Sequence, residues 1–135
     1  MNDYVVDTNH LSPIVTLDHP LRNKILTMVD SGQKFIVPSV VLHEFMFGIG
    51  TIKRAKQNLQ EWESLRHGFA IYHVDAVIAH ESARLRIRLR KQGWQLDPID
   101  SMVAMIALWN QQTLLTTDKD FRGVPQLQTE NWLKE

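Results

Sequence analysis

The sequence predicts an α/β fold in which a short parallel sheet of four to five strands is flanked by helices on both faces. Short β-branched apolar runs alternate with segments whose apolar residues recur at helical spacing. The runs are apolar almost throughout, as in strands covered on both sides, and do not alternate apolar with polar. The chain has 135 residues, 44% hydrophobic and 22% charged. That is enough for one core and too little for two, so residues 1–135 are expected to form a single domain.

Tyr4-Val5-Val6 reads as a buried strand that stops at the polar turn Asp7-Thr8-Asn9, where a helix can begin. Asp18-His19-Pro20 places a capping aspartate and a first-turn proline ahead of Leu21, Ile25, Met28 and Val29 on one helical face, and Gly32 ends that helix. Phe35-Ile36-Val37 is the second strand. Pro38-Ser39 restarts a helix through Val41, Phe45 and Phe47, broken or kinked at Gly48 and Gly50. Residues 51–67 carry Leu59, Trp62 and Leu65 at helical spacing and make the second arm of a helical hairpin. Residues 70–74 form the third strand, with Asp75 capping the next helix. The alternation in Arg84-Leu85-Arg86-Ile87-Arg88-Leu89-Arg90 suits a strand. Its unbroken continuity with Ala76–Ala83 and the stop at Gly93 decide for helix. Residues 98–109 are a helix buried on most sides, and Thr113-Leu114-Leu115-Thr116 is the fourth strand.

With 15 basic and 15 acidic side chains the net charge is zero, which argues against a protein that coats nucleic acid by charge alone. The middle is nevertheless basic. Residues 51–100 hold nine Lys/Arg against six Asp/Glu, while both flanking segments have an acidic excess. The absence of cysteine excludes disulfides and thiolate metal sites, leaving oxygen or imidazole ligands. The opening residues do not resemble an export signal and the apolar runs are short, so the expected location is cytoplasmic.

In parallel α/β sheets, sites form beyond the carboxyl ends of the strands. Asp7 follows the first strand, Asp118 follows the fourth, Asp100 lies in the first turn of the helix opened by Pro98, and Glu44 lies in the helix after the second strand. Each has a separate explanation: a helix cap, a turn former, a first-turn acid, a partner for an arginine. Taken together they suggest one site. Carboxylates among apolar neighbours such as Val41, Phe45, Ile99 and Met102 are costly without compensation, and converging acids repel one another. An all-oxygen cluster suits a hard divalent cation, Mg²⁺ or Mn²⁺, and the matching chemistry is phosphodiester hydrolysis.

Asp7-Thr8-Asn9 after an N-terminal strand, Pro38-Ser39 leading to Glu44, Gly93 before Pro98-Ile99-Asp100 and a small-residue helix, and Leu115-Thr116-Thr117-Asp118 with Asp120-Phe121 resemble the PIN-domain ribonucleases. Within them the chain looks most like VapC-type toxins, down to Asn131-Trp132. The resemblance implies a three-layer PIN-like fold, Mg²⁺- or Mn²⁺-dependent endonucleolytic cleavage of RNA, a homodimer, and inhibition by a cognate antitoxin. It matches Asp7, Glu44 and Asp100 to the principal metal-site acids, with Thr8, Asn9 and Thr116 as supporting polar residues. Asp118 and Asp120 compete for the fourth acid, and Asp118 is favoured as the nearer to the strand end. At His10 relatives usually carry an apolar residue; a solvent-exposed helix-start histidine is expected.

Arg84, Arg88 and Lys91 are candidate RNA contacts, with pairing to Glu61, Glu63 or Glu81 as the alternative. Trp62 and Trp94 can stack on unpaired bases, although core packing is the commoner use of tryptophan. Phe45, Met46, Phe47, Ile49 and Ile52 exceed what one narrow helix face buries and suggest a groove for an antitoxin helix or a second subunit. A zinc-protease motif fails because Phe47 stands where its second histidine belongs. The runner-up reading is a catalytically inactive PIN-like module that binds RNA or protein; the presence of every acid argues against it.

Overall fold

The computed structural model describes residues 2–133. Five strands form one sheet: β1 (Tyr4–Val6), β2 (Phe35–Pro38), β3 (Ala70–Tyr72), β4 (Thr113–Leu115) and β5 (Thr129–Glu130). Their order is β3-β2-β1-β4-β5, and every neighbouring pair is parallel. Val5, Val6, Phe35, Val37, Leu114 and Leu115 are wholly buried, as expected for strands covered on both faces. The exposed, two-residue β5 lies at the sheet edge and is held by backbone pairing to Leu114 and Leu115, which is why side-chain pattern alone does not reveal it.

Six helices surround the sheet: α1 (Thr8–Leu11), α2 (Pro20–Asp30), α3 (Ser39–Gly50), α4 (Ala55–Leu65), α5 (Ala76–Lys91) and α6 (Pro98–Trp109). The last has the bounds read from sequence. The charged alternation in α5 is helical, with Ile78, Ser82, Leu85 and Leu89 buried at its contact with α6. Gly93 at φ +82 then closes α5: its N–H donates to Arg90 O at 3.0 Å and Trp94 N–H to Leu89 O at 2.9 Å, a left-handed cap that favours glycine.

Strand ends shift by one or two residues from expectation, and three features of the helices differ from it. The cap of α2 is His19, whose Nδ1 accepts from Leu21 N–H at 3.1 Å, and not Asp18, which is exposed. The helix expected over 51–67 begins at Ala55, after a turn in which Arg54 takes the left-handed conformation at φ 66. Gly48 and Gly50 do not interrupt α3, which runs to Gly50.

From β1 the chain winds outward through β2 and β3, then crosses back to place β4 on the other side of β1. This reversal puts a crevice at the carboxyl ends of β1 and β4, the position at which α/β sheets bind ligands.

Candidate metal centre

Asp7 enters the crevice from the end of β1. It is buried at 7% exposure and held by three donors: Thr8 N–H at 2.8 Å, the Thr116 hydroxyl at 2.7 Å and Asn9 Nδ2 at 3.2 Å. Its backbone N–H donates to Leu115 O at 3.0 Å, tying the two switch-point strands together beneath it. Burial raises the Asp7 pKa most, the three donors oppose that rise, and the nearby Asp118 adds to it.

Asp100 projects from the first turn of α6. Its pKa is pushed up to about 8, first by burial and then by the charges of Asp97, Asp7 and Asp118. Asp118 and Asp120 arrive on the 3-10 turn after β4, where Asp118 Oδ1 accepts from Asp120 N–H at 2.8 Å. Oxygens of Asp100, Asp118 and Asp120 lie within 4.8 Å of one another, so both contenders for the fourth acid reach the same spot. The turn is positioned by Trp94, whose indole N–H donates to Asp120 O at 2.8 Å. A Cβ on Gly123 would collide with that indole, so only glycine fits.

Glu44 differs from its sequence environment. Val41 and Phe45 are buried, but Glu44 itself is exposed, because its apolar neighbours point to the other side of α3. Partial desolvation of its carboxyl, followed by the charges of Asp7 and Asp97, raises its pKa, while Thr8 and His43 ease its ionisation. The buried Thr8 hydroxyl makes no regular hydrogen bond among the described residues and acts on the Glu44 carboxyl at longer range.

Sequence reasoning missed Asp97. It caps α6, with Oδ1 accepting from Asp100 N–H at 2.7 Å, and its charge acts on both Asp100 and Glu44. Its signal was present, since an aspartate before a helix-opening proline is a cap that faces the first helical turn. Among the described residues, no ion pair joins Asp7, Glu44, Asp97, Asp100, Asp118 or Asp120 to a basic side chain. The cluster is therefore an uncompensated oxygen-donor set of the kind that suits a hard divalent cation.

His10 is the clearest correction. It is fully buried, not exposed, and burial lowers its pKa to about 4. Its ring lies between Asn9 Oδ1 and the backbone of Trp132.

The basic residues of α5 divide. Arg84 pairs with Glu81 at 3.7 Å, whereas Glu61 and Glu63 pair elsewhere, with Arg22 and Arg66. Arg88 and Lys91 are exposed. A cleft of about 510 Å³ adjoins the acids, lined by Arg86, Arg90, Trp94, Asp97 and Asp120 among others, so Arg86 and Arg90 share it with two of the acids. Arg86 is anchored there by Nε donating to Leu96 O at 2.8 Å. Trp62 is a core residue, edge-on to Phe45, and Trp94 is half-buried at the cleft. Of the apolar cluster on α3 and the turn after it, Phe45 and Ile49 are core, while Met46, Phe47 and Ile52 are exposed. No helix among the described residues is long and apolar enough to cross a membrane.

The PIN domain family model matches residues 4–127. Ribonuclease VapC2 of Rickettsia felis is 25% identical over 132 residues, covering 97% of this chain and 98% of that protein. The tRNA(fMet)-specific endonuclease VapC of Shigella flexneri is 28% identical over 100 residues, 73% of this chain and 76% of that protein. Among solved structures, VapBC2 from Rickettsia felis bound to a promoter DNA fragment superposes with a TM-score of 0.82 at 24% identity, over 96% of this chain and 98% of that one.

Proposed function

Because the chain belongs to the PIN domain family, we propose that it is a VapC-type toxin: an Mg²⁺- or Mn²⁺-dependent endoribonuclease held inactive by a cognate antitoxin. The observation that carries this reading is the convergence of six carboxylates at the topological switch point without a basic partner among the described residues. The names of the Rickettsia felis and Shigella flexneri relatives support RNA as the substrate class.

We assign the cation to Asp7, Glu44, Asp100 and Asp118, with Asp120 beside them. A divalent cation there supplies the positive charge that acidifies water and offsets charge on the phosphodiester as it is attacked. The chain's own residues set the geometry. Asp7 is fixed by its three donors, and Thr116 also accepts the N–H of Asp118 at 3.0 Å, so one hydroxyl positions two acids. Arg86, Arg90 and Trp94 line the adjoining cleft and are assigned to the RNA, as phosphate contacts and a stacking surface. The candidates Arg84, Arg88 and Lys91 are assigned to its periphery.

Met46, Phe47, Ile52 and Leu59 leave an exposed apolar patch on α3, α4 and the turn between them, which is assigned to the antitoxin. An antitoxin arginine placed among the carboxylates would supply the missing charge and exclude the cation. The implied homodimer has exposed apolar residues available on α5, Val77 and Ile87.

The raised acid pKa values give a prediction with a definite sign. Asp100 ionises near 8 in the fold and near 3.8 otherwise, so it holds its proton more tightly when folded. Its contribution to stability is present below 3.8 and is lost as pH rises toward 8. A cation binds the ionised cluster and reverses that loss. Mn²⁺ should therefore raise the melting temperature more at about pH 8 than at about pH 6, as scanning calorimetry would show.

The functional test is incubation of total RNA with the purified protein in Mn²⁺, in EDTA, and as Asp7→Asn in Mn²⁺, with new ends mapped by sequencing. Discrete cuts should appear in the first reaction only, leaving a phosphate monoester on one side and a hydroxyl on the other, as attack by water requires. No cuts from folded, antitoxin-free protein would overturn the nuclease assignment in favour of a binding module.

A further inference from the structure

Two backbone N–H groups fix the polarity of a hydrogen-bond chain that runs from the segment after β5 into the acidic cluster. His10 Nε2 faces the Trp132 N–H at 2.9 Å. A backbone amide can only donate, so Nε2 carries no proton, and a neutral imidazole then carries it on Nδ1. Nδ1 lies 2.7 Å from Asn9 Oδ1. That same oxygen accepts the Thr117 N–H at 3.1 Å, a second donor whose direction is beyond dispute. The Asn9 amide is therefore not flipped: its Nδ2 is turned to Asp7 Oδ2 at 3.2 Å and the Thr116 hydroxyl oxygen at 3.4 Å.

We propose that His10 is a positioning residue of the metal site: as the Nδ1-protonated tautomer it holds the Asn9 amide toward Asp7 and couples the Trp132 backbone to the acids. The assignment rests on the reading of the cluster as a cation-dependent nuclease site. Full burial explains why the ring stays neutral. Residues that orient a metal ligand from outside typically change metal affinity or activity by about 10- to 100-fold when replaced. Here the orienting residue acts through Asn9 and touches neither the cation nor the RNA.

The two ring nitrogens can be replaced separately. His10→Asn offers an amide N–H near the Nδ1 position and keeps the bond to Asn9, while losing the Trp132 contact. His10→Gln reaches the Trp132 N–H with its carbonyl oxygen and loses the donor to Asn9. Both variants are expected to melt at lower temperature than the parent, so folding is checked by circular dichroism at the assay temperature. Mn²⁺ affinity by calorimetry and kcat on RNA should fall about tenfold in His10→Gln, stay within about threefold of the parent in His10→Asn, and leave KM for RNA unchanged in both. Parental Mn²⁺ affinity and kcat in His10→Gln, or losses in both variants that merely follow their stability, would overturn the proposal. Nitrogen NMR of the parent provides a test without substitution, since a proton found on Nε2 contradicts it. If the parent binds Mn²⁺ but cuts no RNA, the nuclease reading fails, while the affinities and the tautomer still decide the role of His10.

Discussion

Asp100→Asn is expected to lower RNA cleavage about a thousandfold, the order that follows from losing about 4 kcal/mol of charge stabilisation in the transition state. The same substitution should make the cation-free protein more stable. Asparagine keeps the size and the first-turn position but removes one carboxylate from a set in which Asp97, Asp7 and Asp118 already act on it. The gain should be absent in strong acid, where the carboxyl is protonated in any case, and should grow as pH rises toward 8. The Mn²⁺-dependent rise in melting temperature should shrink in parallel. Activity assays and calorimetry on one preparation check both. Lower stability of the variant at every pH would mean that Asp100 serves the fold, not a cation.

Phe45→Ala is expected to cost about 3–5 kcal/mol of stability, lowering the melting temperature by roughly 10 to 20 °C. Phe45 is wholly buried, and its ring meets Trp62 edge-on with centroids 4.9 Å apart. Truncation leaves a cavity between α3 and α4 that neighbouring side chains fill only in part. The adjacent residue is Glu44, so Mn²⁺ affinity should fall as well, even where the variant remains folded. Phe47→Ala is the control on the same helix: at 68% exposure it should change stability by no more than about 0.5 kcal/mol. Denaturant unfolding of the pair measures the contrast. Equal losses would contradict the division of this apolar cluster into core and surface.

The parallel sheet was readable from sequence because its strands are buried on both faces and therefore nearly all apolar, from Val5 and Val6 to Leu114 and Leu115. Asp7 and Asp118 stood out for the same reason, as acids placed where apolar runs stop. Features that depend on distant chain were hidden. Buried His10 accepts from the backbone of Trp132, 122 positions away, and nothing in Asn9-His10-Leu11 announces that partner. The exposure of Glu44 depends on helical phase, which its largely apolar neighbours do not reveal. Asp97 is different, a local signal that was legible as a cap before Pro98, and capping α6 is what brings it beside Asp100. In α5 the spacing of the arginines was legible, but which of them border the cleft depends on the turn that carries Trp94 and Asp120.

On the proposed function, these carboxylates hold the cation on which RNA cleavage depends. The most direct test is the cleavage rate of a mapped RNA substrate as free Mn²⁺ is raised from zero in EDTA, for the parent protein and for Asp7→Asn. Cleavage should be absent at zero Mn²⁺, rise to saturation for the parent, and stay at least about a hundredfold slower for the variant across the titration. A parent rate independent of Mn²⁺, or superimposable curves for the two proteins, would contradict that function.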